Sequence, residues 1–160
     1  MRRDYFELDV RNVDWIRKGG EPQKPFVRID FHGPEELLEG QLADVDEDDG
    51  ELLEAENVDV SFRLLEPHED DPDAEGVVSV TNRLTGDFVF ELNATAGDVL
   101  QFIRAAREYG RSDGSDGQYR IEIDYEGNPL VEYEKGTFLV YDADGNLLRR
   151  ESLIPSGIEL

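Results

Sequence analysis

The chain has no cysteine, which excludes disulfide bonds, thiolate metal sites and a cysteine nucleophile. No apolar stretch approaches the roughly 20 residues that a membrane-spanning helix requires, so we expect no membrane contact. The sequence enters an alternating strand at once, without the apolar segment of a secretory signal, which favours a cytoplasmic protein. Lysine is scarce, since only Lys18, Lys24 and Lys135 contribute to the sixteen cationic residues.

Negative charge dominates what is present. The chain carries 39 aspartates and glutamates against 16 lysines and arginines, a formal charge of -23. At low salt this charge should destabilise a compact chain by self-repulsion, whereas at molar salt the Debye length is about 3 Å and most repulsion is screened. We therefore predict adaptation to a very salty cytoplasm. The alternative is an acidic surface that mimics a polyanion and binds a basic protein.

The apolar residues indicate a folded body rather than a disordered acidic tail. The acidic residues are spread along the whole chain, and eight Phe, six Tyr and one Trp supply large apolar side chains. Residues 5–12, 26–31 and 58–64 alternate between apolar and polar types, which is typical of half-buried strands. We expect these strands to build a core.

Turn and cap residues divide the rest of the chain. Gly86 lies between two short alternating stretches and predicts a hairpin. A helix is predicted from the cap residue Thr95 to Gly110, and a shorter helix after Gly33-Pro34. The segment 118–153 reads as strands joined by tight turns, which predicts a C-terminal β-meander.

These elements predict an α+β fold with mostly antiparallel sheets of about eight to nine strands and two helices. We expect one domain over residues 1–160, with two sub-lobes (1–66 and 76–154) as the alternative division. Flexible loops are predicted at 44–51, 66–76 and 111–117, where Asp, Glu, Gly and Ser are concentrated.

The sequence offers no motif for a reaction. The acidic run 44–50 lacks the glycine and glutamate spacing of an EF-hand loop, and 142–146 is better explained as a hairpin turn. His32 and His68 are the only imidazoles, and we interpret both as ordinary surface or loop residues. No phosphate-binding loop or serine-nucleophile motif is present. We therefore predict no catalytic residue, no cofactor and no metal site, with enzymatic activity left open.

Three arginines on the predicted long helix form the candidate contact surface. Arg104, Arg107 and Arg111 lie at i, i+3 and i+7, so they share a face or its end and could meet an anion or an acidic partner. The competing interpretation is local, because arginine near a helix C-terminus interacts favourably with the helix dipole and with Glu108.

Several stretches resemble one family. The opening residues 1–10 (MRRDYFELDV), the Gly33-Pro34 helix start and the segment 105–110 (AAREYG) are similar to a small acidic protein family of halophilic archaea, a domain of unknown function. The resemblance implies a haloarchaeal cytoplasm, and it implies no activity and no functional residues.

Three functions follow as hypotheses. The first is a non-catalytic protein-interaction or assembly module whose sheet face or edge meets an unknown protein partner or a second copy. The second is a small-ligand or cation-binding protein, or an enzyme, that uses carboxylates; a concave pocket with converging polar groups would favour it. The third is a nucleic-acid-linked regulator that uses the arginine helix face, although nucleic acid is the less favoured partner.

Overall fold

Two four-stranded sheets form the framework of the chain. The computed structural model describes residues 5–42, 53–66, 72–113 and 118–154. Within these residues, eight strands and three α-helices follow one another, with a 3₁₀ turn at Ala55–Asn57. In chain order they are β1 (Phe6–Arg11), α1 (Trp15–Lys18), β2 (Phe26–Phe31), α2 (Glu35–Leu42), β3 (Val58–Leu64), β4 (Glu75–Asn82), β5 (Phe88–Thr95), α3 (Ala96–Asp113), β6 (Tyr119–Tyr125), β7 (Asn128–Lys135) and β8 (Leu139–Tyr141).

Both sheets are mixed, which corrects the expectation of mostly antiparallel sheets within the α+β class. The first sheet has the order β1-β2-β6-β7 and the second the order β5-β4-β3-β8. Within them β2 pairs parallel with β6, and β3 pairs parallel with β8. Short turns predicted antiparallel neighbours, but these two pairings join strands that are far apart in sequence, so no turn signal announces them.

The predicted C-terminal meander is wrong. β6 and β7 form an antiparallel hairpin in the first sheet, but β8 leaves it and joins the second sheet beside β3. The segment 147–153, predicted as a strand, makes only the isolated bridges Tyr141↔Leu147 and Phe138↔Leu153. The buried Ser152 explains this path, because its hydroxyl accepts a hydrogen bond from the Val140 N–H at 2.8 Å.

Two predicted turns are confirmed. Antiparallel β4 and β5 are joined through a turn in which Gly86 has φ 79°, a value that favours glycine. In the 142–146 turn, the Asp142 carboxylate accepts hydrogen bonds from the N–H groups of Asp144 at 3.0 Å and Asn146 at 2.8 Å. The aspartate is thus occupied in shaping the turn, as side chains of this type commonly are.

The predicted starts of the helices agree with the structure better than the predicted ends. The Asp98 N–H donates to the Thr95 hydroxyl at 3.4 Å, so Thr95 caps α3 as predicted. Gly110 does not end α3, which continues to Asp113; the absent Cβ instead gives the Gln118 side chain room to pack against the helix. The short helix α1, which ends at Lys18 and is followed by the cap residue Gly19 with φ 71°, raises the number of described helices from the predicted two to three.

One connected hydrophobic core contains the inner faces of both sheets and the apolar stripe of α3. Phe31, Phe62 and Tyr119 are among its fully buried side chains. Each sheet takes strands from both proposed sub-lobes, and the single domain over 1–160 stays a prediction. The acidic run 44–50, His68 and residues 67–71 and 114–117 lie outside the described residues. Among the described helices, none has the length and apolar character needed to cross a membrane.

Candidate functional site

The strand β1 lies at one edge of the first sheet, with β2 as its strand partner. The His32 N–H donates to the Tyr5 carbonyl at 2.8 Å. In an antiparallel pair, hydrogen-bonded residues alternate with non-bonded ones, so Tyr5 and every second residue after it direct their main-chain groups to β2. The N–H and C=O groups of Phe6, Leu8 and Val10 therefore face away from the sheet.

The side chains of the same three residues point towards the second sheet. The Phe6 ring lies 5.1 Å from the Phe31 ring and 4.8 Å from the Phe90 ring, measured between centroids, and the second contact joins the two sheets. Leu8, on the same face, is nevertheless 39% exposed. An exposed leucine on an edge strand indicates a contact surface more strongly than an isolated surface leucine does. Edge strands that expose apolar side chains tend to pair with strands of other chains.

An apolar slot lies beneath Leu8, between the two sheets and the first turn of α3. Its volume is about 40 Å³, and Asp98 is the one charged residue among those that line it. A slot of this size suits the end of one aliphatic side chain, since one water molecule needs roughly 10–15 Å³ on the same measure and benzene roughly 150 Å³. The remaining lining residues are Leu8, Val10, Val27, Ile29, Val60, Val78, Val80, Val99, Phe102, Ile121 and Phe138.

The opposite, outer face of the first sheet carries a row of carboxylates. Glu7, Asp30 and Asp124 lie directly opposite one another on β1, β2 and β6. Like charges in such positions destabilise a sheet. Arg28 relieves part of the repulsion, because its Nε lies 2.7 Å from Glu122 Oε2 and 3.2 Å from Asp124 Oδ2.

Asp124 is the most enclosed acid of this face. It is 1% exposed, and its Oδ1 has no hydrogen-bond partner among the described residues. Burial raises the pKa of Asp124, and the neighbouring Glu122 carboxylate raises it further, whereas Arg28 acts in the opposite direction. The charged form of Asp124 is therefore disfavoured in the folded chain.

His32 lies at the end of this row, beside Glu7 and Asp30. Its Nε2 is 3.5 Å from Glu7 Oε2 and 3.3 Å from Asp30 Oδ2, and its Nδ1 is 3.8 Å from Glu126 Oε2. One ligand-type atom each from Glu7, Asp30 and His32 fall within 4.8 Å of one another. An imidazole and two carboxylates are a donor set that Zn²⁺ accepts.

The three arginines of the sequence prediction lie on α3 in different environments. Arg107 is half-buried, and its Nη2 donates to the carbonyls of Ser152 at 2.9 Å and Arg150 at 3.2 Å. Arg111 forms an ion pair with Glu108, between Nη1 and Oε1 at 2.7 Å. Arg104 is exposed and lines a shallow groove with Glu108 and Trp15. Contact of the three with an anion or a partner stays a prediction.

Sequence reasoning did not single out Leu8 or the neighbours of His32. The alternation placed Leu8 on the inward face of β1, but its exposure depends on the edge position of the strand, which the local pattern does not reveal. The sequence predicts an ordinary surface residue at His32, because the proximity of His32 to Glu7 depends on the β1–β2 register. One sequence feature could have indicated the cluster: Glu7 and Asp30 occupy outward positions on two strands that are consecutive in the sequence.

Comparisons with known proteins give one family. Neither the curated proteins nor the solved structures contain a match to the chain. A family model described as a family of unknown function (DUF5793) matches residues 1–160, which is the full sequence. The chain therefore belongs to the DUF5793 family of unknown function.

Proposed function

We propose that the protein is a non-catalytic protein-interaction module that binds an extended segment of a partner along β1. The observation that carries the proposal is the outer edge of β1, which no described strand covers, above an apolar slot. In this mode of recognition a peptide adds a strand to a sheet: main-chain hydrogen bonds supply affinity, and pockets for alternate side chains supply specificity. The outward main-chain groups of Phe6, Leu8 and Val10 are the donors and acceptors for that strand.

The side chains around β1 define the chemistry of the partner. On the inner side, the 40 Å³ slot favours an aliphatic side chain. On the outer side, an added strand would lie beside Glu7 and Asp9, which favours lysine or arginine; Arg11 already pairs with Asp9 at 2.8 Å. The proposed partner is therefore an extended segment in which aliphatic and basic residues alternate.

We further propose that this binding takes place in a salt-rich cytoplasm of haloarchaeal type. The formal charge of -23 supports the proposal, because a compact chain with this charge is stabilised when salt screens the repulsion. Concentrated salt weakens exposed ion pairs and leaves apolar contacts intact, so Leu8 and the slot should then contribute more of the affinity than Glu7 and Asp9.

A synthetic peptide that alternates leucine and lysine tests the proposal, with a scrambled peptide of the same composition as the control for charge alone. We expect the alternating peptide to bind in molar KCl and to shift the amide resonances of β1. Leu8→Lys should weaken binding by about tenfold or more, equivalent to about 1.4 kcal/mol. Leu84→Lys is the matched control, since Leu84 is 48% exposed and lies outside the slot.

Three outcomes would contradict the proposal: equal binding of both peptides, equal binding by the Leu8→Lys variant, or resonance shifts confined to other strands. Size exclusion with light scattering provides a further check on the occupant. If the purified chain is a dimer and Leu8→Lys is a monomer, the β1 edge remains the binding surface, and the partner is a second copy of the chain.

Cation binding is a second candidate, favoured by the convergence of Glu7, Asp30 and His32. Zn²⁺ titrated into the protein should shift the imidazole resonances of His32 at a stoichiometry of one. His32→Ala should abolish the response, and Glu91→Gln, at a carboxylate outside the cluster, should leave it intact. A response that survives in His32→Ala would exclude this site. The third hypothesis, a nucleic-acid role for the arginine face, stays a prediction; unchanged behaviour of a triple alanine variant would dismiss it.

A further inference from the structure

A second concave surface lies away from β1, on the outer side of the second sheet. The cleft has a volume of about 530 Å³, within the range of roughly 300–1,000 Å³ that is usual for small-molecule sites. It combines hydroxyl groups, two cationic residues and an apolar wall. Its lining residues are Asp59, Val60, Ser61, Thr81, Arg83, Lys135, Thr137, Leu139, Tyr141 and Ile154.

Lys135 is the unusual residue of this cleft, because it is a lysine with only 9% of its surface exposed. Its Nζ donates to the carbonyls of Ala55 at 2.7 Å and Val58 at 2.6 Å. No carboxylate of the described residues lies within ion-pair distance of it. A buried ammonium group without a counter-charge is costly, so a nearby anion would stabilise it.

The ammonium group also retains hydrogen-bonding capacity. It has three N–H donors, and the two carbonyls of described residues take up two of them. Burial lowers the pKa of Lys135, and the positive charge of Arg83 lowers it further, whereas the Asp59 carboxylate acts in the opposite direction. A bound anion would act on Lys135 in the same direction as Asp59, because a negative charge favours the protonated form.

Arg83 lies at the exposed side of the cleft. Its Nε donates to Asp59 Oδ1 at 3.0 Å, so two cations and one carboxylate lie among the described residues that line the cleft. The pair leaves part of the guanidinium open, since the Arg83 side chain is 55% exposed. Two cations against one carboxylate is the reverse of the balance in the chain as a whole, whose formal charge is -23.

We propose that this cleft binds a small organic anion, a carboxylate or a phosphate ester, whose charge lies between Lys135 and Arg83. The hydroxyl groups of Ser61 and Thr81 supply further hydrogen bonds, and the apolar part of the ligand lies against Leu139. The anion would supply a counter-charge within ion-pair distance of Lys135, which no described residue does, and the cleft is large enough for a ligand of this kind. The proposal is independent of the β1 edge and of the cation cluster at His32.

Titration with phenyl phosphate and with benzoate, at constant KCl, tests the proposal and separates the two anion types. Benzyl alcohol is the neutral control. We expect one anion to shift the resonances of Thr81, Leu139 and Tyr141, and benzyl alcohol to shift none of them. Arg83→Gln should weaken anion binding by about tenfold or more. Arg17→Gln, which removes the same charge from α1, should bind the anion as the native chain does.

The role of Lys135 is tested in the native chain, because Lys135→Met would leave the two carbonyls without a donor and destabilise the region. The ¹⁵N resonance of the Lys135 ammonium group gives its pKa directly. Saturation with the anion should raise that pKa, since a nearby negative charge favours the protonated form. An unchanged Lys135 pKa at saturation, resonance shifts outside the cleft, or full affinity in Arg83→Gln would each overturn the proposal.

Discussion

Replacing Arg107 with alanine separates a structural role from a contact role for the arginines of α3. The native side chain donates to two carbonyls of the segment after β8, those of Ser152 and Arg150. Hydrogen bonds to a charged group contribute about 1.5–3 kcal/mol each. Because the contact with Arg150 is exposed, we expect a total loss of about 1.5–3 kcal/mol. For a chain of this length that corresponds to a fall in Tm of roughly 3–12 °C.

The assay is urea unfolding monitored by circular dichroism at constant KCl. Arg104→Ala and Arg111→Ala serve as controls, and each should change the free energy of unfolding by less than about 0.5 kcal/mol, as is usual for exposed positions. Hydrogen exchange adds a local readout, because the Leu153 N–H donates to the Phe138 carbonyl at 2.8 Å and should exchange faster in Arg107→Ala. Equal stability of all three variants would refute the structural role of Arg107.

Three further predictions concern the core, the buried acid and salt. Gly76→Ala should lower the free energy of unfolding by about 1–3 kcal/mol, because the new Cβ would meet the Phe62 ring and the Arg63 carbonyl; a neutral result in urea unfolding would contradict this packing. At pH 7 the free energy of unfolding of Asp124→Asn should equal or exceed that of the native chain. Because the pKa of Asp124 is raised in the folded state, the native chain gains stability as pH falls through that pKa. The variant lacks this titration, so its free energy of unfolding should change less with pH. A variant that is less stable than the native chain at pH 7 would exclude the unfavourable burial of the Asp124 charge. Lowering KCl from molar to dilute should abolish the near-ultraviolet circular dichroism signal, and a signal that persists in dilute buffer would exclude salt screening as the stabilising factor.

Local patterns predicted the strands whose residues alternate between apolar and polar types. The alternation in β1, β2 and β3 follows from one inward and one outward face, and the cap at Thr95 is a local hydrogen bond. The parallel pairs β2–β6 and β3–β8 depend on contacts between distant segments. Residues 147–153 carry apolar residues like a strand, but tertiary hydrogen bonds from Arg107 and to Ser152 fix them in turns.

The site residues were harder to predict because each depends on register or on position at an edge. Leu8 is exposed at an edge where, among the described strands, β1 has β2 as its one neighbour. Lys135 carried a signal in the sequence, since it is in phase with the buried Tyr133 of β7. Lysine is rarely buried unless its ammonium group has a partner, so a lysine on the inward face of a strand indicates a buried acceptor. The acceptors here, the carbonyls of Ala55 and Val58, belong to a distant part of the chain.

Amide hydrogen exchange of β1 is the most direct test of the open edge. In the free chain the Leu8 N–H should exchange quickly, whereas the Asp9 N–H, directed to β2, should be protected. Saturation with the alternating leucine–lysine peptide should slow exchange at Leu8 and leave Asp9 unchanged. A Leu8 amide that is already protected in the free chain, or one that the peptide does not protect, would contradict recognition at this strand.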